Sequence, residues 1–305
     1  MGKLLSIFFL FIYFSCNGQS SVKNDSTTIA FVSDTQAPLF FEWFTHKTNH
    51  NLKATKFIFN DIISKHPASL FILGDLVSLG YSNHQWKCID NYLKACKQQN
   101  ISVDAVLGNH ELIVHAKKGE SKFQSRFPAD INTGYVTIKD SIAIILLNSN
   151  FNKMTAAEIQ QQHTFYKQQL NKLDNDQAIR FIIVACHHSP FTNSKAVKPS
   201  LFVQQQFLPG FFSSKKCMLF LSGHSHNFEH FEMQEKTFLV IGGGGGPQQK
   251  LYRKKLFNDL AFSYKPMFHY LLIKRINNIL SVSSMKLKND FSGFEEGQNF
   301  KIISK

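Results

Sequence analysis

The chain has 305 residues, 43% of them apolar, including 31 phenylalanines, and a formal charge of +13. That composition can build a sizeable core, and with 16 glycines, 8 prolines and no sustained heptad it excludes collagen-like, coiled-coil and disordered classes. The charge has two readings: attraction to phosphorylated substrates, nucleic acid or an anionic surface, or a generally lysine-rich surface.

The first 16 residues, MGKLLSIFFLFIYFSC, read as an export signal. Lys3 supplies the positive start, and Leu4 to Phe14 form an 11-residue apolar stretch broken only by Ser6, too short to span a bilayer. Cys16 after Ser15 is similar to a bacterial lipoprotein cleavage site. This predicts an exported, periplasmic chain anchored by a lipidated Cys16; cleavage just beyond would leave a soluble exported protein. Residues 17–28 read as a flexible tether and 29–305 as one domain. Cys88, Cys96, Cys186 and Cys217 have no CxxC spacing and read as buried small hydrophobes.

TIAFVSD (28–34) is the first predicted strand, followed by helical spacing over 52–65. SLFILGD (69–75) is a second strand. Trp86, Ile89, Leu93 and Cys96 then recur at helical spacing over 84–99. VDAVLGNHE (103–111) reads as a third strand, and 135–138 with 141–148 as a hairpin. A helix is predicted from Thr155 to about Leu173, with Thr155 and Glu158 in a capping-box pattern. IRFIIVACHH (179–188), CMLFLSGHSH (217–226) and KTFLVIGGGGG (236–246) are further strands, and two more close the chain. Strands alternating with helices early, then strands in series, predict a mixed α/β sandwich.

Five apolar runs end in residues that can bind a metal: Asp34, Gly74-Asp75, Gly108-Asn109-His110, His187-His188 and Gly223-His224-Ser225-His226. Strand tips along one sheet edge lie together, and ligands bind there. Aspartate, asparagine and histidine are ligands for Zn, Mn or Fe. One such tip says little; five in this order point to a metal centre.

The order resembles the calcineurin-like metallophosphoesterase family, over about Ile29 to His226. The resemblance implies a four-layer αββα sandwich of two mixed β-sheets flanked by helices, with two metal ions (Mn, Fe or Zn) at the strand tips and a phosphorylated small molecule or phosphate ester as substrate. It implies Asp34 as a ligand of the first metal, Asp75 as the bridge, Asn109 and His224 as ligands of the second, and His226 as a ligand of the first. In HHSP the family's ligand lies two before the proline, which selects His188 over His187. His110 is then the acid or electrostatic group near the leaving oxygen. Two metals about 4 Å apart can clamp a phosphate and activate water, and a phosphomonoester is favoured over a diester. The competing expectation is a non-catalytic metal- or ligand-binding surface lipoprotein of the same fold.

Two positions depart from the pattern. The first tip usually reads Asp-x-His, but here Gln36 fills the third place. Its amide oxygen is expected to ligate weakly, tilting the first site towards Mn or Fe; otherwise that site has one ligand fewer. Ser78 stands where purple acid phosphatases carry an iron-binding tyrosine, and Ser78, Leu79 and Gly80 lack the aspartate and arginine of protein phosphatases. Glu111 is expected to orient His110 or lie at the surface. Gly242 to Gly246 offer either a phosphate-approaching backbone nest or a flexible turn. Lys250, Arg253, Lys254 and Lys255 read as a solvated run or a phosphate-steering cluster. No basic patch with interleaved aromatics of the single-strand-binding kind is evident, and no nucleic-acid partner is expected.

Overall fold

A computed structural model describes residues 27–39, 50–130 and 133–304. The predicted export segment, most of the tether and the aromatic run Phe40, Phe41, Trp43 and Phe44 lie outside them. Among the described residues the strands form two six-stranded sheets. The first has the order β12-β11-β10-β1-β2-β3, built from β1 (Thr28–Val32), β2 (Ser69–Ile72), β3 (Ser102–Ala105), β10 (His269–Ile276), β11 (Ile279–Leu287) and β12 (Phe294–Ile303). The second has the order β4-β5-β6-β7-β9-β8, from β4 (Tyr135–Lys139), β5 (Ile142–Leu147), β6 (Phe181–Cys186), β7 (Cys217–Ser222), β8 (Phe228–Met233) and β9 (Lys236–Ile241).

Both sheets are mixed. β1, β2 and β3 run parallel, and β10 joins β1 antiparallel. In the second sheet β5, β6, β7 and β9 run parallel, with β4 and β8 antiparallel at the edges. The period-2 alternation of side chains sorts each strand between two cores. Ile29 and Phe31 of β1 meet Ile144, Ile183, Leu219 and Leu221 of the other sheet in the central core. Ala30 and Val32 face outward, onto α1 (Asn51–Ser64) through Ala54, Ile58 and Ile62 and near α2 (Asn83–Gln98) through Trp86 and Ile89. Ala143, Ile145, Ile182 and Val184 face α4 (Ala156–Asn175) through Tyr166, Leu170 and Leu173. Each fully buried Ile, Leu or Phe contributes about 1.5–3 kcal/mol through removal from water. The result is the four-layer αββα sandwich.

Local signals set several boundaries. Thr155 caps α4 with its capping box complete: its hydroxyl accepts the Glu158 N–H, and the Glu158 carboxylate accepts the Thr155 N–H. Three short helices were not foreseen: α3 (Ala116–Gln124), α5 (Leu201–Gln206) and α6 (Leu208–Ser213). Their apolar residues are too few to show helical periodicity. No helix among the described residues is long and apolar enough to cross a membrane. The C-terminal ends of β1, β2, β3, β6 and β7 carry the five polar tips.

Candidate metal centre

The tips converge in two groups. Ligand atoms of Asp34, Asp75 and His226 lie within 4.8 Å of one another, and so do those of His187, His188 and His224. Asp75 connects the groups: its Oδ2 is 3.2 Å from His187 Nε2. Asn109 joins the second group, with Oδ1 3.1 Å from His187 Nε2. Gln36 joins the first, with Nε2 3.3 Å from His226 Nε2. His110 stands at the edge, its Nε2 4.0 Å from Asp75 Oδ2.

The backbone is strained where the tips turn. Asp34, Asp75 and His224 have φ of 59°, 52° and 65°, a region that costs a non-glycine residue of order 1 kcal/mol and recurs at functional sites. Two glycines allow the close approach. A Cβ on Gly108 would sit 2.1 Å from Asp75 Oδ1, and one on Gly223 would sit 2.4 Å from Asp34 Oδ2. The Gly242–Gly246 run is neither a free nest nor a loose turn. Its Gly244 and Gly246 N–H groups donate to the Ser33 and Asp34 carbonyls at 2.8 and 2.7 Å, lashing the loop to the end of β1.

Hydrogen bonds outside the cluster set the tautomers. His187 Nδ1 lies 2.8 Å from the Leu73 carbonyl and His226 Nδ1 2.7 Å from the Pro247 carbonyl. A carbonyl only accepts, so each Nδ1 carries the proton and each Nε2 points into the cluster. This is how a metal-binding histidine is ordinarily held. His188 differs: its Nδ1 meets the Ser149 hydroxyl at 2.9 Å, and Ser149 Oγ also accepts the His188 N–H.

Glu111 is fully buried and corrects both expectations for it. Its carboxylate accepts the backbone N–H of Asp75, Leu76, Val77 and Gly108 at 2.9, 2.7, 3.1 and 2.9 Å. It fixes the Asp75 tip to the Asn109 tip. The sequence signal was its place beside His110; its backbone partners are visible only in the folded chain.

The electrostatics follow from burial and charge. Burial pushes the Asp34 carboxyl up, but His226 pulls it below the usual range; for Asp75, burial is likewise outweighed, by His187. Burial would lower His187, yet Asp75 raises it to about 9. Burial pushes His188 down to about 3, with the His187 charge adding to the effect, and burial also pushes His224 well below its ordinary value. His188 and His224 are thus held as neutral imidazoles, the form that binds metal, whereas at His187 a metal would take the place of the Nε2 proton.

The donor set fits metal ions. Gln36 Oε1 is buried without a hydrogen-bond partner and Asp75 Oδ2 meets only the His187 ring, an arrangement a cation would satisfy. Around His187 Nε2, the Asn109 amide oxygen at 3.1 Å and the Asp75 carboxylate oxygen at 3.2 Å stand at about the 3 Å spacing of adjacent ligands on one ion. Two such groups sharing Asp75 make a dinuclear divalent-metal site.

Residues 27–228 match the family model described as calcineurin-like phosphoesterase. The chain belongs to this family. Its fold is similar to that of a purple acid phosphatase from yellow lupin (Lupinus luteus) seeds, with TM-score 0.70 and 15% identity over 92% of this chain; it spans 54% of the lupin chain. It is also similar to GAP50, the anchor in the inner membrane complex of Plasmodium, with TM-score 0.67 and 15% identity over 92% of this chain and 89% of that one. A dimetal phosphatase from Danio rerio aligns with TM-score 0.60 and 10% identity over 92% and 99%. No curated protein matches the sequence.

Proposed function

We propose that the chain hydrolyses phosphate esters at a two-metal centre, with phosphomonoesters preferred over diesters. The observation that supports this most is Asp75, whose carboxylate belongs to the first donor group and lies 3.2 Å from His187 of the second. Two bound cations would supply charge stabilisation to a phosphoryl group and a nucleophilic water at neutral pH. Asp34, Gln36, Asp75 and His226 would hold the first, and Asp75, Asn109, His187 and His224 the second. His187 takes the ligand place that motif spacing gave to His188, because its Nδ1 is tied to the Leu73 carbonyl and its Nε2 faces Asp75 and Asn109, where a metal would replace the Nε2 proton. His188, buttressed by Ser149, then faces the cluster as a phosphate-orienting group.

His110 is the proton donor in this reading. Its Nδ1 donates to the Ser78 carbonyl at 3.1 Å and its N–H to Asp75 Oδ1 at 2.8 Å, so the ring is held with Nε2 free. A proton on that nitrogen can pass to the departing alkoxide. Ser78 is buried and donates to the Ala37 carbonyl, so it offers no phenolate to iron, and we expect a colourless protein.

Turnover of an aryl phosphate monoester and the matching diester, metal-stripped and with Mn, Zn or Fe restored, tests the reading beside Asp75→Asn. Activity that returns with metal and is lost in the variant supports it, and the faster ester sets the class. Metal binding without turnover of either ester would favour the second reading, a ligand-binding protein of this fold, for which Gln36 in place of histidine is the motivating feature. The export signal with a lipidated Cys16 is part of the same proposal and rests on sequence alone; metabolic labelling with a fatty acid, lost in Cys16→Ala, checks it.

A further inference from the structure

Beside the metal centre the chain carries an acid-free rim. No Asp or Glu occurs in 177–228 or in 236–258. Two loops from these stretches are tied together at the mouth. The Gln249 N–H and side-chain amide donate to the His226 and His224 carbonyls, each at 3.3 Å. The next residue, Lys250, accepts the Lys195 N–H through its carbonyl at 2.8 Å. Asn193 then fixes the following segment: its carbonyl accepts the Tyr252 N–H at 2.8 Å, and its Oδ1 accepts the Leu256 and Phe257 N–H groups at 2.7 and 2.9 Å.

What this scaffold presents to solvent is mixed. Lys195, Lys250, Arg253 and Lys254 are exposed. So are Tyr252 (44%), Leu256 (60%), Leu260 (49%) and Phe262 (56%), four of the eleven large exposed apolar side chains among the described residues, gathered within eleven positions. Such clustering departs from the scattered single exposures of an ordinary surface. Two of the lysines stand over these rings: Lys255 Nζ lies 3.7 Å from the Phe262 ring centroid and Lys195 Nζ 5.8 Å from that of Tyr252.

We propose that this rim docks the domain on an anionic lipid bilayer, with the mouth of the metal centre at headgroup level. Cations beside an anionic leaflet and Leu, Tyr and Phe side chains entering the headgroup boundary are the two attractions such a surface offers. A soluble phosphate would call for the cations alone. A single-stranded nucleic acid would call for stacking rings, and two of the four apolar side chains are leucines. The inference does not depend on the catalytic reading, because binding is measured without turnover.

Co-sedimentation of the full chain with vesicles of phosphatidylcholine, alone or with phosphatidylserine, tests it. The apolar N-terminal segment acts on both vesicles, so the phosphatidylserine-dependent difference reads the basic surface of the chain, and the rim variants read the rim's share of it. That difference is expected to fall on the order of a hundredfold in Arg253→Gln/Lys254→Gln/Lys255→Gln, and to shrink in about half-molar salt. Leu256→Ser/Phe262→Ser is expected to weaken binding to the phosphatidylserine vesicles at low salt. Aryl phosphate turnover, or metal content, shows that both variants are folded. Equal binding to the two vesicles, or wild-type binding by both variants, overturns the proposal. Retention of an oligonucleotide or soluble polyphosphate with no phosphatidylserine dependence overturns it in favour of a dissolved polyanion.

Discussion

Glu111 Oε2 accepts the backbone N–H of Asp75 at 2.9 Å, and the same carboxylate gathers three more N–H groups from the two tips that carry Asp75 and Asn109. Glu111→Gln puts an NH2 group against two of these donors. The expected cost is on the order of 2–4 kcal/mol in urea unfolding, together with a ten- to hundredfold loss of metal affinity. Calorimetric metal titration of the variant at wild-type affinity would show that Glu111 serves stability alone.

His187→Ala and His188→Ala separate two readings of adjacent histidines. In the proposed reading His187 is the ligand, so His187→Ala is expected to leave about one metal per chain by elemental analysis. His188→Ala should retain both ions and show a raised KM for an aryl phosphate. The opposite pattern would return the ligand to His188, where motif spacing alone had put it.

Loss of the proton donor has a signature in the leaving group. His110→Gln is expected to lower kcat by roughly 10²–10⁴ for an alkyl phosphate. The loss should be much smaller for a nitrophenyl ester, whose departing oxygen needs no proton. A uniform loss across both esters would assign His110 to positioning Asp75.

His269, which is not among the proposed metal ligands, provides a pH dependence of stability. Its ring is buried with neither nitrogen hydrogen-bonded, and burial pushes it down to about 3. The unfolded chain takes a proton at this residue near pH 6.5, whereas the native state stays neutral. The stability from the neutral ring is therefore present above pH 6.5 and is lost as pH falls towards 3, at about 1.4 kcal/mol per unit in that window. Between pH 6 and 4.5, His269→Phe should show a shallower fall in urea stability than the wild type; parallel slopes would contradict the assignment.

The sequence by itself determined the layers and the edge where the site lies. The apolar runs TIAFV, IIVAC and LFL, short and rich in β-branched and aromatic residues, read as strands buried on both faces. Their polar tips had to meet at the ends of parallel strands. The tertiary structure decided what spacing along the chain does not encode. Glu111 is the clearest case, since its four partners lie on two different tips. How the His187 and His188 rings are turned towards the cluster depends on carbonyl and hydroxyl partners 114 and 39 residues away. The glycine run was ambiguous because glycine permits many conformations; only its bonds to Ser33 and Asp34 select one. The rim beside the site was equally hidden, because exposure of Leu256 and Phe262 is a property of what fails to cover them, and local sequence carries no record of that.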